Sequence, residues 1–371
     1  MGKHQSPVPN PQSLAAALLL PLVLAGCANI EYYYQSVSGQ LEIWRRERAI
    51  EEVFRDPAAP DALKQQLAGV LKIREFASRE LGLPQNESYR RYADLQRPFV
   101  VWNVFAAREF SVHSERWCFP WVGCVTYRGY FSKEEADRYA ADLAAQGYDV
   151  YVGGVPAYST LGVFPDPVLN TFVHYPEAEL ARLVFHELSH QLIYIKDDTA
   201  FNESFAVAIE REGTRRWLER NGDAKEHATF ERVHRARNDF MALVQKYRTR
   251  LDVHYRLGQP PEAMRAGKRA ILDEMEAEYR VLKTAWGGYS GYDRWFAKKP
   301  NNAHIASVSV YTQLVPAFEA LLAQSGGDLK EFYKRVRAIA AQPPAQRAEA
   351  LAALMPQPPA PMLYQGRASN P

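Results

Sequence analysis

The sequence has few cysteines, little net charge and no apolar run long enough to cross a bilayer. Its 371 residues include three cysteines, and 45 basic against 43 acidic residues give a formal charge of +2. Because this balance offers no electrostatic footprint for phosphates, nucleic acid is not expected as a partner. Hydrophobic residues at 47% and charged residues at 24% indicate a globular chain with a sizeable core, and argue against a disordered or fibrous one.

Residues 1–26 are interpreted as a lipoprotein signal peptide. Lys3 gives a positive start, and the apolar run over residues 14–24 is too short to span a bilayer. The segment LAGC that ends at Cys27 resembles the lipobox of bacterial lipoproteins, which implies that Cys27 is lipidated and becomes the mature N-terminus. By the same resemblance, the lack of an acidic residue at position 28 implies the periplasmic face of the outer membrane. An uncleaved hydrophobic tail with an ordinary cysteine is the alternative.

The other two cysteines, Cys118 and Cys124, bracket the segment CFPWVGC. An envelope compartment is oxidising enough for them to pair, and such a short loop would gain about 2–3 kcal/mol from a disulfide. Two buried free thiols are the alternative. Without histidines nearby, the pair is a poor zinc site.

The pattern of the chain predicts an α+β, mostly helical fold. Residues 31–55 and 60–82 read as two helices, and β-branched and aromatic alternation from Pro98 predicts a small mixed sheet with a helix starting at Ser132. After Pro176 the pattern is helical almost to Ala341. The predicted division is a signal peptide (1–26), an N-terminal helical region (27–97), a catalytic domain (98–341) and a Pro/Ala-rich tail (342–371).

The segment HELSH carries the clearest chemical signal. Helical periodicity places His186 and His190 one turn apart, where both imidazoles can reach one metal ion, with Glu187 beside them. The surrounding residues are apolar, and burying two imidazoles and a carboxylate would be costly unless something bound them. A metal ion is therefore predicted. Two partly exposed histidines with a salt-bridging glutamate are the alternative.

A hydrolytic zinc site commonly uses three protein ligands and a water. The chain turns at Asp197-Asp198-Thr199, and a second helix opens with NESFA. Because two antiparallel helices joined by a tight turn bring Glu203 back toward His190, Glu203 is the predicted third ligand. The same donors could accept manganese or cobalt.

His186-Glu187-x-x-His190 followed by N-E-x-F-A resembles the gluzincin metallopeptidases. With YRGYF, GGVPAYSTLG and DTAFNESFA, the middle of the chain resembles a bacterial family of putative zinc aminopeptidases that are predicted lipoproteins. The resemblance implies a gluzincin-like fold with a small sheet before the HExxH helix, Zn²⁺ on His186, His190 and Glu203, and Glu187 as the catalytic base. The interval between His190 and Glu203 is shorter than in well-studied relatives, and a G-x-M-E-N segment for the substrate's amine is missing.

Other parts of the site are less determined by the sequence. Tyr311 is the candidate donor to the tetrahedral intermediate, with Tyr289, Tyr292 and His304 as alternatives. Asp198 either orients a ligand histidine or caps a helix. The segment GGVPAYSTLG either supports an extended peptide or forms an ordinary turn.

Together these features predict a zinc metallopeptidase, expected to be an aminopeptidase, that cleaves peptides while a lipid at Cys27 holds it to a bacterial envelope membrane. A non-catalytic, zinc-stabilised lipoprotein that binds a protein partner is one alternative. An endopeptidase is the other.

Overall fold

The computed structural model describes residues 31–119, 123–309 and 313–355 and shows an α+β, mostly helical protein. The helices are α1 (31–46), α2 (Ile50–Arg55), α3 (Asp61–Arg79), α4 (Lys133–Ala145), α5 (Glu177–Leu192), α6 (Thr199–Asn221), α7 (Ala224–Tyr255), α8 (Pro261–Ala285), α9 (Asp293–Ala297), α10 (Asn302–Ser309), α11 (Val315–Gln324), α12 (Leu329–Ala340) and α13 (Pro344–Leu354). The strands are β1 (Glu47–Ala49), β2 (Arg91–Ala93), β3 (Val101–Arg108), β4 (Trp117–Phe119), β5 (Gly123–Val125), β6 (Arg128–Tyr130), β7 (Tyr148–Val155) and β8 (Val168–Leu169). Within the three described ranges, no helix combines the length and apolar character that a membrane span needs.

The strands form two small sheets and a hairpin. In the first sheet β3 lies between β6 and β7, and both pairings are antiparallel. In the second, β2 pairs antiparallel with β1 and parallel with β8. The sequence predicts a mixed sheet for the strands after Pro98, but the sheet around β3 is antiparallel. Mixed pairing occurs instead in the sheet of β1, β2 and β8, of which β1 and β2 precede Pro98. The hairpin of β4 and β5 is closed by a disulfide between Cys118 and Cys124.

The single helix predicted over residues 31–55 is interrupted, because residues 47–49 form β1 and pair with β2. Glu47 also forms an ion pair with Arg91 of β2 at 3.0 Å. Ile43, Ile50 and Val53 are all buried, so the helical spacing of apolar residues continues across the break. Pairing with a distant strand, which local spacing does not report, decides the conformation here.

Beyond Pro176 the helices end close to the expected breaks. Asp198 caps α6, Gly222 ends it, and Pro260 precedes α8. Part of the predicted C-terminal tail is the helix α13. It packs through the buried Leu351 and through Arg347, whose guanidinium is 2.9 Å from the Asp198 carboxylate.

Helices α5 and α6 pack against each other inside the largest hydrophobic core. Phe185 of α5 and Phe205 of α6 are fully buried, and Phe205 packs on Phe318 and Phe332 at ring separations of 5.9 and 6.1 Å. Gly213 permits the close approach, because a Cβ there would lie 2.8 Å from the Phe185 ring. The core therefore fixes the spacing of the two helices.

Candidate metal centre

Three side chains of α5 and α6 direct a ligand atom to one point. The Nε2 atoms of His186 and His190 are 3.3 Å apart. Oε2 of Glu203 lies 3.4 Å from Nε2 of His186 and 3.8 Å from Nε2 of His190. The three ligand atoms thus lie within 4.8 Å of one another, on adjacent turns of two packed helices.

These separations fit a single divalent ion. A tetrahedral ion with bonds of about 2.0–2.1 Å keeps its ligands about 3.3 Å apart. Two imidazoles and one carboxylate are a donor set common in hydrolytic zinc sites, where a fourth position is left for water or substrate. The donors present in the structure therefore fit a metal centre in both chemistry and spacing.

The connection between α5 and α6 is held by the asparagine of the NESFA segment. Asn202 is 2% exposed, and its side-chain amide donates to the carbonyl of Ile195 at 2.7 Å. Its carbonyl oxygen accepts from the Ile195 amide at 2.8 Å. One side chain thus satisfies both backbone groups of a residue in the turn, and this allows the short interval between His190 and Glu203.

The same connection is attached to the disulfide hairpin. The backbone amide of Cys124 donates to the Asp197 carboxylate at 2.5 Å, and Arg116 donates to the Asp197 carbonyl at 3.3 Å. Asp197 itself has a φ of 69°, in the left-handed region that asparagine and aspartate tolerate better than most residues. The hairpin of β4 and β5 therefore supports the turn that joins the ligand helices.

Glu210 orients His186 from behind. Nδ1 of His186 lies 2.8 Å from the Glu210 carboxylate, which also accepts from Arg182 at 2.9 Å. Such a partner fixes the ring and leaves Nε2 free for a metal. Asp198, the carboxylate that the sequence suggests for this role, instead caps α6 by accepting from the Phe201 amide at 3.1 Å and pairs with Arg347.

The charges around the site favour a bound cation. Burial lowers the pKa of His186, but hydrogen bonds with Glu203 and Glu210 outweigh it and raise that pKa to about 10. Burial raises the pKa of Glu203, but its interaction with His190 and a hydrogen bond with His186 hold that pKa below its usual range. Burial lowers the pKa of His190 to about 4, so its imidazole is neutral at pH 7. The neutral His190 imidazole and the ionised carboxylates suit metal binding, and an ion at Nε2 of His186 would replace the proton that the surrounding carboxylates stabilise on that ring.

Glu187 differs from the neighbouring carboxylates because, in the described part of the chain, its side chain has no hydrogen-bond or ion-pair partner. It lines a cavity of about 280 Å³ together with His186. Burial raises its pKa to about 7, with the charge of His186 opposing the rise. A carboxylate that lines a cavity and has a pKa near neutral pH suits general-base chemistry.

The end of β7 forms one wall of this cavity through Val155, Pro156 and Ala157. In the described ranges β7 pairs with β3 alone, so it lies at a sheet edge. The segment GGVPAYSTLG thus starts as an edge strand and continues as a loop beside the cavity. An extended peptide can be held by such an edge through backbone hydrogen bonds.

The aromatic candidates from the sequence have different positions. Tyr311 lies outside the described residues. His304 is 4% exposed and packs on Tyr151, with a ring separation of 4.1 Å. Tyr289 and Tyr292 belong to a second hydrophobic cluster.

Tyr127, between β5 and β6, lies near the ligands and was not singled out by the sequence. Its ring packs 5.7 Å from that of Phe105. Burial raises its pKa above the usual value, and the carboxylates of Glu203 and Glu187 act on it in the same direction. The hydroxyl is therefore protonated and able to donate. Spacing gave no signal for Tyr127, because it joins the site from a different part of the chain.

A family model described as "Putative aminopeptidase" matches residues 31–351. The matched range contains both ligand helices, the end of β7 and the segment around Tyr127. No curated protein and no solved structure matches the chain.

Proposed function

The chain belongs to the family described as "Putative aminopeptidase", and on this premise we propose that it is a zinc-dependent peptidase. The observation that carries the proposal is the meeting of His186, His190 and Glu203 beside a Glu187 without partners in the described chain. A structural zinc site would be closed by four protein ligands, whereas three ligands next to a cavity suit catalysis.

The residues present would hold the ion through the Nε2 atoms of His186 and His190 and the carboxylate of Glu203. Zinc bound there would act as a Lewis acid toward a substrate carbonyl and would make a water molecule more acidic. Manganese or cobalt could bind the same donors, and the two imidazoles favour zinc.

The chain's own groups then have separate tasks. Glu187 accepts a proton from the attacking water at its carboxylate and returns it to the leaving amine. The Tyr127 hydroxyl donates to the carbonyl oxygen as charge develops there, with Tyr311 as the alternative donor. Glu210 and Arg182 keep the His186 ring in place.

Aminopeptidase activity, which removes residues from the N-terminus of a peptide, is proposed on the basis of the family description. Among the described residues that line the cavity, Glu210 is the only carboxylate besides Glu187, and its oxygens already accept from His186 and Arg182. A group that anchors the substrate's free amine is therefore not evident there. Cleavage of a panel of peptides with free and acetylated N-termini distinguishes an aminopeptidase from an endopeptidase, because an aminopeptidase does not cleave the acetylated peptides.

The proposal is tested by Glu187→Gln, which keeps the shape of the side chain and removes its basicity. We expect metal content to be unchanged and peptide hydrolysis to fall by about 10²–10⁴-fold, the usual contribution of a positioned general base. Glu177→Gln is the matched control, because Glu177 is an exposed carboxylate in the first turn of the same helix.

Full activity in Glu187→Gln would refute the assignment of the base. If the metal-loaded wild-type chain cleaves no peptide, the remaining candidate is a zinc-stabilised lipoprotein that binds a protein partner.

The location is proposed as the bacterial envelope, with the chain attached to the outer membrane by lipid on Cys27. The segment LAGC supports this location, and the Cys118–Cys124 disulfide suits an oxidising compartment outside the cytoplasm. Mass spectrometry of the purified chain tests it, since processing predicts an acylated Cys27 at the N-terminus.

A further inference from the structure

Helix α1 carries an apolar stripe on its outer side. Tyr34, Val37, Leu41 and Trp44 are 74%, 59%, 37% and 38% exposed. Their spacing of three, four and three residues places them on one face of the helix. We call these four residues the α1 stripe.

The opposite face of α1 fixes the direction of the stripe. Ile43 is 1% exposed within the main core, and the Gln35 side chain accepts from the Phe131 amide at 3.0 Å. The Phe131 ring also occupies the space beside Gly39, where no side chain would fit. Helix α1 is thus attached to the protein by one face while the stripe faces outward.

A loop far away in sequence extends the stripe. Val163 and Phe164 are 72% and 42% exposed, and the Phe164 ring meets Trp44 edge to face with centroids 4.7 Å apart. Of the eleven large apolar side chains exposed in the described ranges, seven lie in α1 or this loop: Tyr33, Tyr34, Val37, Leu41, Trp44, Val163 and Phe164. Apolar groups gathered in this way mark an interaction surface.

We propose that the α1 stripe, with Val163 and Phe164, docks on the surface of the lipid bilayer. This inference rests on the proposed lipidation of Cys27 and is independent of the peptidase activity. Cys27 lies four residues before residue 31, and four residues span at most about 14 Å. An acyl chain at Cys27 therefore brings α1 to the membrane.

The composition of the surface suits a bilayer. Tyrosine and tryptophan are enriched where a membrane meets water, and the surface contains Tyr33, Tyr34 and Trp44 with aliphatic residues between them. A helix that lies in the interface adds to the binding of a lipid anchor and also fixes orientation. The loop over residues 157–164 joins this surface to Ala157 in the cavity wall, so docking would hold the cavity at a set position above the lipid.

The experiment uses the lipidated full-length chain in vesicles, with acylation of Cys27 first verified by mass spectrometry. Phospholipids with brominated acyl chains quench a tryptophan that enters the bilayer. We expect wild-type fluorescence to be quenched, and Trp44→Phe to remove most of the quenchable emission. An equal quenched emission in wild type and Trp44→Phe would overturn the proposal, because Trp44 would then not contact lipid.

Val37→Glu provides a second test with a matched control. Val37 is 59% exposed on the stripe, and Val253 is 58% exposed on α7. We expect Val37→Glu to reduce the quenching of Trp44 and Val253→Glu to leave it unchanged, with similar melting temperatures for both variants. An identical response of the two variants would contradict docking by the stripe.

Varying the number of chains per vesicle distinguishes docking of the stripe on lipid from its docking on a second copy of the chain. Contact with lipid predicts that quenching of Trp44 is the same with one chain or many chains per vesicle. Protection of Trp44 that is lost on dilution would assign the stripe to a second copy and overturn the proposal. An unacylated Cys27 would instead refute the proposed location.

Discussion

At the scale of residues, Glu187, Glu203 and Glu210 have three environments within two helices. The Glu203 carboxylate points to the Nε2 atoms of both histidines. The Glu210 carboxylate contacts Nδ1 of His186 and also accepts from Arg182. Glu187 has neither kind of partner among the described residues, and its pKa is raised to about 7, chiefly by burial. The proposed ligand, positioning group and base therefore differ in their surroundings.

Glu210→Gln tests the positioning role. The variant keeps a hydrogen-bond acceptor but removes the charge that holds Arg182 and strengthens His186 as a ligand. We expect metal affinity to fall by about 10–100-fold, the range typical of such partners. Competition with a chromogenic chelator measures it.

The control for this variant is Glu212→Gln on the same helix. Glu212 pairs with Arg215 and Arg216 and does not contact the ligand histidines. Unchanged metal affinity in Glu210→Gln, or an equal loss in Glu212→Gln, would contradict the role given to Glu210.

The sequence predicts the three candidate metal ligands better than it predicts the residues that surround them. Spacing within a helix and one turn are enough to predict that His186, His190 and Glu203 meet, and these ligand atoms do converge. Spacing does not identify Glu210 as the partner of His186, because that contact depends on how α5 packs on α6. The position of Tyr127 near the site depends on how a strand distant in sequence packs, and local spacing carries no information about that packing.

At the scale of elements, the packing of α5 against α6 determines the geometry of the candidate metal centre. The sequence predicts both helices and the turn, since capping residues and periodic apolar positions are local features. It did not predict β1, because Glu47–Ala49 continues a helical pattern and becomes a strand only by pairing with β2.

Gly213→Ala tests the close contact of the two helices. A methyl group there would lie 2.7 Å from Leu81 and 2.8 Å from Phe185, both in the core. Overpacking of this kind costs about 1–3 kcal/mol, against a gain of about 1 kcal/mol in helix propensity. We expect a net loss in the free energy of unfolding, measured by urea denaturation.

Gly69→Ala in α3 is the control for the helix-propensity gain. The nearest atom that its methyl group would meet is a Glu177 carboxylate oxygen at 4.0 Å. We expect this variant to be more stable than wild type by up to about 1 kcal/mol. Stabilisation by both substitutions would show that α5 and α6 are less tightly packed than the structure indicates.

At the scale of the whole molecule, one hydrophobic core includes Ile43 near the N-terminus, the ligand helices and Leu351 of α13. Composition predicted a sizeable core. Its membership could not be read from the sequence, since it depends on how segments three hundred residues apart come together.

Removal of the metal is expected to destabilise the entire protein. An ion that binds the folded chain alone contributes about 2.7 kcal/mol when its free concentration is 100 times its Kd. Dialysis against a chelator should therefore lower the melting temperature, and added zinc should restore it. His190→Ala should melt at one temperature with or without the chelator, and a wild-type melting temperature insensitive to chelation would contradict a metal centre that is part of the fold.

The attachment of the β4–β5 hairpin to Asp197 affects when the site matures. The hairpin is closed by the Cys118–Cys124 bond, and a reducing cytosol opposes such bonds. With the proposed envelope location, we expect the turn between α5 and α6 to reach full order only after the chain is exported. Newly made chains in the cytosol would then have an incompletely ordered site and little peptidase activity, and the site would become complete in the envelope.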